Sequence, residues 1–92
     1  GERWRARMFG PTMGIAEDPA TGAAAAAAAA YLAGVAGEPR LEAGWVLEQG
    51  VEMGRPSELH VQPVRRAGEL VAVRVGGRAV RLGEGTLVAP AL

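Results

Sequence analysis

A chain of 92 residues, in which ten Arg and no Lys balance ten acidic side chains, is one domain at most and carries no net charge at neutral pH. Neutrality argues against attraction to a nucleic-acid backbone or an anionic membrane, and the absence of Cys excludes disulfides, thiolate catalysis and Cys-ligated zinc. Apolar residues make up 49 % of the chain, yet no apolar run is long enough to cross a bilayer and no secretory leader is visible, so the sequence reads as soluble and cytoplasmic.

In chain order, Arg3 to Phe9 alternates, with Arg3, Arg5 and Arg7 on one face and Trp4, Ala6 and Met8 on the other, which predicts a half-buried strand ended by Gly10 and Pro11. Thr12 to Asp18 reads as a loop. Asp18-Pro19 then signals a helix start, with Thr21 as a second capping residue. From Gly22 to about Val35 the run Ala23–Ala30 followed by Tyr31, Leu32 and Ala33 has the highest helix propensity of any composition. The helix is apolar all round, which predicts burial, and its small side chains allow a sheet to approach its backbone closely. Gly34, Gly37 and Pro39 end it.

Trp45 to Leu47 is a predicted strand, and Gly50, Gly54 and Pro56 break the segment that follows. A further strand runs from Leu59 to Arg65, with Pro63 placing it at an edge or bulge. Arg66 to Glu69 forms a turn. Leu70–Val75 and Arg78–Leu82 are then predicted to pair through a two-residue Gly76-Gly77 loop, setting Val73 opposite Val80 and burying that face. A last short strand is predicted over Thr86 to Ala89. The expected fold is α+β, an antiparallel sheet wrapped around a central Ala-rich helix, in a single domain.

Asp18, the only Asp, stands just before a helix whose first amides belong to Thr21, Gly22 and Ala23. Unpaired N–H groups and the helix dipole favour a carboxylate or phosphate at such a place. Two readings of Asp18 follow from local physics, a helix cap or part of a ligand site. Elsewhere the residues point to structural roles: His60 has no neighbouring Asp or second His, Arg55 sits in a tight Gly-Arg-Pro turn, and Arg74 and Arg81 read as a solvated sheet face. Glu17 beside Asp18 could form a coupled pair of carboxylates, although sequence neighbours often point apart.

The motifs decide between the readings of Asp18. Gly14 to Gly22 (Gly-Ile-Ala-Glu-Asp-Pro-Ala-Thr-Gly) resembles the Gly-x-x-Glu-Asp-Pro-Ala-Thr-Gly-(Ser/Ala)-Ala signature of the PhzF-like, phenazine-biosynthesis family. Glu48 to Ser57 resembles that family's Gln-Gly-x-x-Met-Gly-Arg-Pro-Ser block, and Val73 to Val80 its Val-x-Val-Gly-Gly-x-Ala-Val ending. Three motifs in order are far more specific than a lone Gly-rich loop.

The resemblance implies a diaminopimelate-epimerase-like fold of two similar halves, with proton-shift chemistry in the cleft between them and neither metal nor organic cofactor. It implies that Asp18 acts in acid/base chemistry or positions a small carboxylate-bearing substrate, which the first turn of the helix (Thr21, Gly22, Ala23) binds through backbone amides. Two departures stand out. Ala23 occupies the place of a Ser in well-studied members, and nothing in the chain matches the catalytic Glu and Gly-Asn-Pro motif of the family's N-terminal half. Together with an opening Gly1 in place of Met, which suggests a trimmed or excised piece, this reads as the C-terminal part of an isomerase whose proton-transfer machinery is completed by another polypeptide or is absent. The alternative is a catalytically silent domain that forms a homodimer and keeps the helix-end anion site. No nucleic acid or membrane is an expected partner.

Overall fold

In the computed structural model, which describes residues 2–37 and 39–91 apart from the Arg40 side chain, the alternating N-terminal segment forms two strands. These are β1 (Glu2–Ala6) and β2 (Met8–Gly10), with Trp4, Ala6 and Met8 half-buried and Arg3, Arg5 and Arg7 exposed. Alternation therefore fixed the face correctly, while the single strand foreseen over Arg3–Phe9 is broken at Arg7. A tight 3-10 turn over Pro11–Met13 ends at Gly14, whose φ of 76° suits Gly. The chain then returns as β3 (Ile15–Asp18), antiparallel to β2. Thr12 to Asp18 is thus not all loop. β3 has no alternating pattern of its own, and its pairing to three-residue β2 shifts register between Met8 and Gly10.

The helix α1 (Gly22–Ala30) continues into a wider, π-type turn over Tyr31–Val35, so helical backbone ends where the composition predicts. Ala36 N–H donates to Tyr31 O at 2.8 Å, the five-residue spacing of that turn. Ala33 O accepts a 2.5 Å bond from Arg65 Nη2, a cation at a helix C-terminus. Arg65 is itself held by Glu42, through Nε–Oε2 at 2.7 Å and Nη2–Oε1 at 2.6 Å.

Three longer strands complete the main sheet: β4 (Trp45–Gln49), β5 (Ser57–Arg66) and β6 (Glu69–Gly76). Their order is β1-β4-β5-β6. The α+β class is as expected, with a mixed sheet: β1 runs parallel to β4 because the chain crosses between them through α1, whereas β4-β5 and β5-β6 are antiparallel. Pro63 lies beyond the last β4–β5 pair, Trp45↔Val61, and faces Val73 of β6 on one side, next to a register shift at Val64/Arg65. Its missing N–H therefore removes no bond to β4.

The β5–β6 hairpin turns at Ala67-Gly68, with φ of 52° and 83°. This corrects the placement of the two-residue loop at Gly76-Gly77. Val73 pairs with Pro63 and not with Val80, and among the described residues neither Arg78–Leu82 nor Thr86–Ala89 is a strand. Among those residues β6 is therefore an edge strand, paired with β5 alone. Val80, Leu82, Leu87 and Val88 are left 82–96 % exposed.

Ala25, Ala29 and Ala33, spaced four apart, form the buried stripe of the helical segment, and Ala25 and Ala29 pack with Leu41, Trp45, Leu59 and Val61. Trp4, Leu32, Leu47 and Val73 border this core. The helix lies over β5 and β6. Its other face, with Ala23, Ala24, Ala27, Ala28 and Tyr31, is exposed.

Candidate functional site

Two sequence blocks some thirty residues apart meet at the start of α1, and the meeting is built from backbone and buried amide groups. Gly50 makes the approach feasible. Its φ is 81°, and a Cβ there would sit 2.2 Å from Arg55 O and 2.9 Å from Pro19 O, so no other residue fits. Gly50 O accepts from Arg55 N–H at 2.9 Å, which closes the 50–55 turn through backbone and leaves Ser57 beneath Pro19. Ser57 Oγ lies 2.6 Å from Pro19 O and 3.1 Å from Gln49 O, so its one proton is shared between two carbonyls.

Gln49, at the end of β4 and only 2 % exposed, supplies the second clamp. Its Nε2 donates to Asp18 O at 2.8 Å and to Thr21 Oγ1 at 2.9 Å. Thr21 Oγ1 in turn donates to Asp18 Oδ2 at 2.5 Å. Asp18 is half-buried at the end of β3, and its carboxylate is held across the turn by the residue that begins the helix.

The structure thus separates Asp18 from the capping role. The N-cap is Thr21, with extended φ/ψ of −125°/90°, and its hydroxyl is spent on Asp18, so no side chain caps the helix. Gly22, Ala23 and Ala24 are exposed, and Ala25 N–H is the first to find its helical partner, Thr21 O at 3.1 Å. Asp18, Thr21, Gly22 and Ala23, all chosen from sequence, therefore lie in one continuous turn. A cleft of about 310 Å³, walled by Trp4, Met8, Ala24, Ala28, Leu32 and Leu47, runs along the helix and shares Gln49 with this turn, while Asp18, Thr21, Gly22 and Ala23 lie outside its lining.

Other sequence candidates fall elsewhere. Glu17 turns away from Asp18 to Arg7, through Nε–Oε2 at 3.1 Å and Nη2–Oε1 at 3.0 Å. The hydrogen bond from Arg7 holds its carboxyl below the ordinary value against the opposing effect of burial. Arg7 also stands over the Phe9 ring, 4.8 Å from its centre. His60 is exposed, in a shallow groove with Arg3, Gln62 and Arg74. Arg81 pairs with Glu84 at 2.5 Å, and with 78–82 not a strand the Arg74–Arg81 sheet face does not form. Among the described residues no three His, Cys, Asp or Glu gather as metal ligands, and no helix is long and apolar enough to cross a membrane.

Gln49, Gly50 and Ser57 are the site residues that reading for reactive groups passed over. Their signal was present, since all three lie in the Gln-Gly-x-x-Met-Gly-Arg-Pro-Ser block, but a neutral amide and a hydroxyl carry no charge pattern that marks them as partners of Asp18.

Comparison with known proteins follows the same lines. The sequence profile of phenazine biosynthesis-like proteins matches residues 1–85. The trans-2,3-dihydro-3-hydroxyanthranilate isomerase of Pseudomonas chlororaphis is 46 % identical over 90 residues, which are 96 % of this chain and 31 % of that protein. The isomerase of the same name from Pseudomonas aeruginosa is 44 % identical, over 92 % of this chain and 30 % of its own length. An uncharacterized isomerase of Deinococcus radiodurans is 41 % identical, over 90 % and 28 %. The chain spans about a third of the length of these curated relatives.

Proposed function

The chain belongs to the phenazine biosynthesis-like protein family, and on that premise we propose that it is one part of a cofactor-independent isomerase that moves a proton within a small carboxylate-bearing molecule. The observation that carries this reading is the Asp18–Thr21 turn: a carboxylate held by the Thr21 hydroxyl beside the exposed first residues of the helix, Gly22 to Ala24. The amides of Gly22 and Ala23 would receive the substrate's carboxylate, and Asp18 would hold or exchange the migrating proton. A proton leaves one carbon and returns to another of the same molecule, so the composition is unchanged. The relatives' name specifies an anthranilate derivative, which bears a carboxylate of this kind. With Ala23 no hydroxyl adds to that contact.

The second catalytic group would come from the portion that the relatives possess beyond these residues, in the cytoplasm, either as a separate polypeptide or as part of the same one. The uncovered surface supports such a partner. The chain exposes 6859 Å², where a compact monomer of 9.5 kDa exposes about 5,000 Å².

Titration of ¹⁵N-labelled chain with benzoate tests the anion site. The Gly22 and Ala23 amide signals should move with benzoate and stay with benzamide; unmoved amides would remove the site. With the N-terminal portion of a Pseudomonas relative supplied in trans, turnover should place solvent deuterium in the product, and Asp18→Asn should abolish it. Undiminished deuterium incorporation in that variant would remove Asp18 from the chemistry.

The same excess surface favours a second reading, a silent domain that pairs with itself as a homodimer and retains the anion site. That reading expects benzoate binding and a dimer mass, with no deuterium incorporation under any complementation.

A further inference from the structure

We infer that Gln49 is a positioning residue that acts through Thr21 to fix which oxygen of Asp18 handles the proton. The inference rests on the reading of Asp18 as the acid/base group and adds the device that orients it.

The direction of each hydrogen bond follows from the donor inventory. Gln49 Nε2 carries two hydrogens, and both are placed: one on Asp18 O at 2.8 Å, the other on Thr21 Oγ1 at 2.9 Å. Turning the amide over would set Oε1 against the Asp18 carbonyl, oxygen facing oxygen, so the orientation is chemically determined. A threonine hydroxyl has a single proton. Gln49 Nε2 donates to one of the hydroxyl's two lone pairs, and the hydroxyl's own proton points to Asp18 Oδ2, 2.5 Å away. Oδ2 is then committed as an acceptor, and a proton taken up by Asp18 goes to Oδ1. Gln49 is 2 % exposed, so its amide is kept from water while Thr21 and Asp18 stay half-buried at the surface.

Ser57 supplies the built-in control. It anchors the same loop through Pro19 O, two residues before Thr21, and touches neither the Thr21 hydroxyl nor the Asp18 carboxylate. A loop held for shape alone would respond to the loss of either anchor in the same way. A relay responds only to the loss of Gln49 or the Thr21 hydroxyl.

The experiment reads the Asp18 side-chain carboxyl carbon of the intact chain by ¹³C NMR at pH 7. The parent is compared with Thr21→Val, Thr21→Ser, Gln49→Leu and Ser57→Ala, with the fold of each checked by its amide spectrum. A hydrogen bond to one carboxyl oxygen draws charge onto it and so sets the resonance of the attached carbon. That resonance should shift in Thr21→Val, shift the same way in Gln49→Leu, and stay with the parent in Thr21→Ser and Ser57→Ala. An unmoved resonance in folded Thr21→Val overturns the proposal. So does a shift in Thr21→Val with none in folded Gln49→Leu, or an equal shift in Ser57→Ala. Should Gln49→Leu fail to fold, the contrast between Thr21→Val and Thr21→Ser decides. This readout needs no substrate, so its failure leaves the deuterium experiment on Asp18 standing, and the reverse holds.

Discussion

At the scale of single residues, Gly50 and three glutamates make the sharpest claims. A side chain at Gly50 meets both strain and collision: φ is 81°, and the added Cβ would overlap Arg55 O at 2.2 Å. Gly50→Ala should cost about 2–4 kcal/mol in urea unfolding and should weaken benzoate binding, because the displaced carbonyls are those that seat Pro19. Equal stability of variant and parent would show that the turn is built otherwise. Glu17, Glu42 and Glu58 are each held below the ordinary carboxyl value near 4.5, first by hydrogen bonds from Arg7, Arg65 and Arg3 respectively. A lowered folded value means that the unfolded chain binds the proton more readily. Stability from these pairs is therefore complete above about pH 4.5 and is lost as the pH falls through the lowered values. Urea midpoints should hold down to about pH 5 and drop from there to pH 3, less steeply in high salt and less steeply in Arg7→Gln.

At the scale of elements, the helix and the β5–β6 hairpin illustrate opposite kinds of fit. The helix relies on smallness along one stripe. Ala29 is fully buried, so Ala29→Leu should destabilise by about 1–3 kcal/mol, while Ala27→Leu on the exposed face should change stability little. A comparable loss at both positions would mean that the exposed face is covered in solution. The hairpin, in contrast, carries a residue its turn does not suit. Ala67 has φ of 52° beside Gly68 at 83°, a pair of left-handed positions that favours Asn-Gly. Ala67→Asn should raise stability by about 0.5–1 kcal/mol, measured by thermal or urea unfolding.

At the scale of the whole molecule, unpartnered surface dominates. The radius of gyration is 15.8 Å, where about 12 Å is expected for a compact domain of this length, and Tyr31, Val35, Leu82 and Leu87 are 59–96 % exposed. Apolar surface on this scale drives association. The isolated chain should show a light-scattering mass above that of one copy, and Tyr31→Glu with Val35→Glu should lower it without unfolding the sheet. A parent mass equal to a single chain would remove this expectation.

Local periodicity and composition were enough to determine the α+β class, the inward face of β1, the extent of the helical segment and the place of the Asp18–Gly22 turn, because each depends on neighbours within one or two turns of chain. Motif order was enough to determine the family. The turn over Arg66–Glu69, closed by Ala67-Gly68, was legible too, whereas tertiary structure alone decided that β1 runs parallel to β4 and that the 78–89 segment stays unpaired. It also decided that Gln49, Gly50 and Ser57 close on Asp18, Pro19 and Thr21. The β1–β4 pairing and the Gln49 and Ser57 side-chain hydrogen bonds to the Asp18–Thr21 turn join positions about thirty to forty residues apart, and no single residue's propensity encodes which distant partner satisfies it.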